Sequence, residues 1–136
     1  MQLPEHLQHF PQQSLLVVAD HVVARLFIAG GDSLEELDGL AEPRDVPTDN
    51  EGKMFNSDVH DEPRLKRFCK NIALDIQKLV VSHDVSNIHL VMPAELAHLV
   101  TADLSQEVQR KLGRGIHLDL MKEDPLKIVE RLLIKE

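Results

Sequence analysis

Apolar and polar positions divide this chain into a short series of elements around one stretch, residues 14–29, SLLVVADHVVARLFIA. Leu15, Leu16, Val17, Val18 and Ala19 run without a polar break, as in a strand covered on both faces. Asp20 and His21 interrupt the run, and residues 22–28 resume it with Arg25 as the only charge. Both arms carry β-branched residues, and a polar pair between two such arms predicts a tight hairpin. The expectation is antiparallel strands at 15–19 and 22–28 in the centre of a sheet. A single buried helix of the same length is the alternative, because an apolar run alone does not separate the two.

The pattern then changes along the chain. Residues 1–13 hold Pro4, Pro11 and scattered glutamines and histidines, which argue for a loosely held arm docked by Leu3, Leu7 and Phe10. Gly30, Gly31 and Asp32 predict a turn. Residues 34–40, LEELDGL, fit a third, edge strand or a short helix, and their place after a hairpin favours the strand. Residues 41–62 are polar, acidic and broken by Pro43, Pro47 and Gly52, which predicts a long loop of functional or disordered character. Residues 63–82 return Leu65, Phe68, Cys69, Ile72, Ala73, Ile76, Leu79 and Val80 at helical spacing, with Pro63 suited to a first turn. Residues 87–93, NIHLVMP, read as a strand reached by a crossover and parallel to the first. A helix follows from Ala94 to about Leu112, broken near residues 103–105 where Ser105 offers a fresh N-cap, and Gly113 and Gly115 end it. Residues 116–121, IHLDLM, alternate as in a sheet-edge strand, and Pro125 opens a last helix with Leu126, Ile128, Val129, Leu132 and Leu133 facing in.

The fold class expected is α/β: a hairpin meander followed by βαβα units, with helices packed on a mixed sheet. This is the arrangement of ribonuclease H-like domains. The organisation expected is an arm at 1–13 and one domain at 14–136 containing the loop at 41–62.

Composition narrows the function. The formal charge of −8 disfavours broad electrostatic binding to nucleic acid or anionic lipid, although a local basic patch can still hold RNA. One cysteine cannot make an internal disulfide, the N-terminus has no signal-peptide pattern, and no run of 18 apolar residues exists, so a cytoplasmic, non-membrane protein is expected. The basic patch is local. Arg64, Lys66, Arg67 and Lys70 crowd the first turns of the 63–82 helix, where cations oppose the macrodipole. They read either as a solvated face or as an anion site beside the acidic loop.

The hairpin LLVVADHVVARLFIA, the loop segment EGKMF, the helix RLKRFCKNIALDIQKLV and the segment NIHLVMPAELAHLVTADLSQEVQRKL together resemble the bacterial host attachment protein family. That family is similar to the central domain of archaeo-eukaryotic peptide release factors. The resemblance spans residues 14–133. His21 stands where a glycine is common, and VMPAELAHL resembles the family's strand-to-helix turn. It implies a translation-machinery-like fold and ribosome or RNA association, while the family name implies a part in attachment to host cells. The release-factor loop carries Gly-Gly-Gln for peptidyl-tRNA hydrolysis. The matching segment here, NEGKMFNSDVHDE at 50–62, has Gly52 alone and no glutamine, so that activity does not carry over.

Other chemistry has thin support. A ribonuclease H-type nuclease needs carboxylates converging on divalent metal, and the candidates Asp20, Asp75 and Asp119 fall on a turn, a helix and a late strand. His6 and His9 lie on an irregular arm, and His60 and Asp61 have no second histidine at ligand spacing, so no zinc site and no cofactor is assigned. No Ser-His-Asp elbow, P-loop or dinucleotide fingerprint is present. Cys69 lies on the apolar helix face and reads as a small buried hydrophobe. The expectation is a non-catalytic binding module, ribosome- or RNA-associated, using Arg64, Lys66, Arg67 and Lys70 for anions, with Gly52, Lys53 and His60 as candidate loop residues. A hydrolase using Asp20, His60 or Asp61 is the first alternative. An adaptor in host attachment, in homo-oligomeric form, is the second.

Overall fold

A computed structural model describes residues 2–8, 10, 12–21, 23–37, 62–113, 115–118 and 120–134. Among the described residues four strands make one mixed sheet: β1 (Ser14–Ala19), β2 (Ala24–Gly30), β3 (Ser33–Leu37) and β4 (Asn87–Val91), in the order β3-β2-β1-β4. β1 pairs antiparallel with β2 and parallel with β4, and β2 pairs antiparallel with β3. The helices are α1 (Glu62–Ser82), α2 (Ala94–Ala102), the short α3 (Gln106–Gln109) and α4 (Pro125–Ile134).

The unbroken apolar run of β1 now has its cause. Leu15, Val17 and Ala19 face the side covered by α1 and α2, with Phe68, Ile72, Ile76 and Leu96. Leu16 and Val18 face the other side, with Ile128, Val129 and Leu132 of α4 and with Leu3 and Phe10 of the arm. A central strand in a three-layer stack has no solvent face, so it carries no alternation. The expected burial of Phe68, Ile72, Ile76 and Leu79 is found, at 0–8% exposure.

The hairpin turn is longer than Asp20 and His21 alone. Asp20 N–H donates to the Val23 carbonyl at 3.1 Å, and Val23 N–H donates to Asp20 Oδ1 at 2.9 Å. This closed turn moves the start of β2 to Ala24, two residues beyond the expectation. β2 and β3 are joined through Gly31, whose φ of +58° suits a residue without Cβ. The arm is fastened to this end: Leu3 N–H donates to the Asp32 carbonyl at 2.7 Å and Gly31 N–H to the Phe10 carbonyl at 3.0 Å. It includes one 3-10 turn, Glu5–Leu7.

α1 stops where Asp84 takes φ 52° and Val85 N–H donates back to the Val80 carbonyl at 3.1 Å. The break expected near residues 103–105 is present: Ser105 caps α3, its hydroxyl accepting from Val108 N–H at 3.3 Å.

The described residues of 116–121 do not form the expected strand. Two isolated parallel bridges, Ile88 with Leu112 and Val91 with Ile116, line the outer edge of β4, and pairing ends there. Met92 N–H donates to the Ile116 carbonyl at 2.9 Å, and Pro93 has no N–H to continue the ladder. Beyond Ile116, Leu118 is 44% exposed and Leu120 is buried in the cluster that holds α4.

Candidate functional site

α1 presents its cations because its other face is consumed by the sheet. With Phe68, Cys69 and Ile72 buried, helical spacing turns Lys66, Arg67 and Lys70 outward. α2 crosses α1 on this side. Lys66, Arg67 and Lys70 line a cleft of 310 Å³ whose other wall is Leu99, Ala102 and Asp103. Three of the four cations expected to act together are thus brought together. Arg64, half-buried near the start of α1, is not among the lining residues. Gly52, Lys53 and His60 lie outside the described residues.

Two features temper the field in this cleft. Asp103 places one carboxylate among the three cations. The C-terminal end of α2, at Ala102, is the negative end of that helix, which favours nearby cations and offsets the penalty they carry at the start of α1. The cleft thus sets three cations and one carboxylate beside the apolar side chains of Leu99 and Ala102. The α2 wall was not legible in the run of cations. The only pointer was the helix break near residues 103–105, which sets where α2 ends.

The carboxylates considered for hydrolysis are dispersed. Asp20 closes the β1–β2 turn through Oδ1, and Asp75 sits partly buried on α1. Asp119, His60, Asp61 and His9 lie outside the described residues. His21 Nε2 and Glu95 Oε1 are 3.9 Å apart, both more than half exposed, between the hairpin turn and the first turn of α2. Among the described residues no group of three or more His, Cys, Asp and Glu side chains comes together to hold a metal. Cys69 is fully buried. Burial first, then the charges of Asp103 and Glu95, push its thiol up to about 11, so at neutral pH it stays protonated and non-nucleophilic. Among the described residues no helix is long and apolar enough to cross a membrane.

A family model described as a protein required for attachment to host cells matches residues 15–132, and the chain belongs to that family. The match covers β1 from Leu15, the other three strands, α1, α2 and α3, and most of α4. No curated protein matches the chain. Among solved structures, one titled an archaeal protein is similar with a TM-score of 0.47 and 10% identity, over 90% of this chain and 36% of that one. This chain therefore spans about a third of that protein's length.

Proposed function

We propose that this chain is a non-catalytic binding module that serves attachment by presenting the α1–α2 cleft to an anionic partner. The observation that carries the reading is the convergence of Lys66, Arg67 and Lys70 on one cleft in a chain of net charge −8. Membership of the attachment family supports a binding role. RNA or the ribosome is the partner class that the release-factor resemblance suggests, and a β3-β2-β1-β4 order with β4 parallel to β1 agrees with a ribonuclease H-like ancestry. Asp103 in the cleft and the acidic balance of the chain keep such binding weak and salt-sensitive.

Co-sedimentation with ribosomes and anisotropy of a labelled single-stranded RNA test the reading. Replacing Arg64, Lys66 and Arg67 together by glutamine is expected to abolish association while leaving the thermal midpoint nearly unchanged. Binding that survives the triple change moves the site elsewhere, with Arg110, Lys111 and Arg114 the next candidates, the last outside the described residues. Manganese-dependent cleavage of RNA, or release of peptide from a stalled ribosome, overturns the non-catalytic reading.

A further inference from the structure

The outer face of α1 carries a second regularity, which shares only Lys70 with the cleft. Lys70, Leu74 and Lys78 follow one another at four-residue intervals, and Val81 continues the line seven residues after Leu74. All four are exposed, Leu74 by 49% and Val81 by 82%. On the rest of α1 the apolar side chains Phe68, Ile72, Ile76 and Leu79 are buried, so these two are set apart from the core pattern. The stripe holds no acidic residue, although acids outnumber bases 23 to 15 in the whole chain.

We infer that this stripe is a docking surface for an acidic amphipathic helix of a partner protein. The inference rests on the binding-module reading and adds to it a second surface with its own partner class. Charge and shape select the occupant. Leucines seven residues apart on a partner helix lie over Leu74 and Val81, and glutamates two such intervals of four apart, one on each side of the first leucine, meet Lys70 and Lys78. A second copy of α1, laid antiparallel, offers the lysines no carboxylate from its own stripe, which has none. Single-stranded RNA needs aromatic platforms, and the stripe has none. An anionic membrane gains only two apolar side chains against the repulsion of a net −8 chain.

The test uses the full chain and a fluorescein-labelled acidic peptide with leucines seven apart and a glutamate four residues to either side of the first leucine. Saturable binding is expected. Leu74→Gln with Val81→Gln, and separately Lys70→Glu with Lys78→Glu, each weaken it by about tenfold or more. Both pairs are surface changes, and an unchanged thermal midpoint confirms folding. The charge-reversed variant is expected to recover affinity for a peptide whose glutamates are replaced by lysines. Equal binding of a scrambled peptide, or no loss in either variant, overturns the inference. So does binding to phosphatidylglycerol vesicles or oligouridylate that exceeds peptide binding and is lost in the Leu74/Val81 variant. Because those two residues lie outside the cleft, failure here leaves the glutamine test at Arg64, Lys66 and Arg67 standing on its own.

Discussion

Arg25 on β2 grips Glu36 on β3 with two parallel hydrogen bonds, Nε to Oε2 at 2.9 Å and Nη2 to Oε1 at 3.0 Å. The two are diagonal rather than opposite, since Glu36 stands across from Phe27. The guanidinium also lies 5.1 Å from the Phe27 ring centroid and donates through Nη1 to the carbonyls of Met121 at 2.9 Å and Glu123 at 3.1 Å. One side chain thus joins β2, the edge strand and the segment leading to α4. The Glu36 hydrogen bond, partly opposed by burial, raises the Arg25 pKa, so the guanidinium stays charged at every working pH.

Arg25→Met is expected to cost about 1–2 kcal/mol, because part of the pair is solvated and the two carbonyls can turn to water. A double-mutant cycle with Glu36→Gln, read by urea unfolding, should show coupling of about 0.5–1 kcal/mol that shrinks with added salt. Zero coupling places the cost in packing over Phe27 instead.

Ile72 is fully buried between α1 and the sheet. Ile72→Ala should cost about 2–5 kcal/mol in chemical denaturation, the range for truncating a packed aliphatic side chain. A change below about 0.5 kcal/mol belongs to a surface site and contradicts this packing.

Gly115 approaches β4 so closely that an added Cβ meets the Leu90 carbonyl oxygen at 2.7 Å. Backbone cannot swing aside, so Gly115→Ala should destabilise by about 1–3 kcal/mol. Gly113→Ala meets the His89 imidazole Cε1 at 3.1 Å, a side-chain atom with more freedom to yield, and should cost less. Reversal of that order in thermal unfolding contradicts the edge geometry.

Cys69 supplies a pH signature. Its folded thiol titrates near 11 against an ordinary value of 9.0. The folded state therefore holds a proton that the unfolded chain has lost over that window. Stability is unaffected by Cys69 below about pH 9 and falls as pH rises toward 11. Cys69→Ala should flatten that decline, and the native thiol should resist iodoacetamide at pH 8. Rapid native-state alkylation contradicts the burial.

These residues also mark what the sequence made legible. β1 declared itself because both of its faces are covered, and α1 because its apolar spacing is helical throughout. Ser105 was legible as a cap because a hydroxyl before a polar helix start is a local signal. The strand expected at residues 116–121 failed because alternation says nothing about whether a pairing partner is still there, and β4 runs out at Val91. The cations of the cleft were legible as a run. Its opposite wall was not, since the meeting of residues 66–70 with residues 99–103 is a product of helix crossing rather than of local pattern.

The placement of β1 between a near neighbour in sequence and a distant one has a kinetic consequence. β2 lies across one short turn, whereas Ser14 pairs with Asn87, 73 residues further on. Local closure is fast and long closure is slow, so the hairpin forms first and waits with one flank of its most apolar strand unpaired. During that interval the nascent chain exposes a template for intermolecular strand addition. Substitutions in β4 that delay its arrival should therefore appear as lost soluble yield at high expression before they appear in the melting curve of the finished protein.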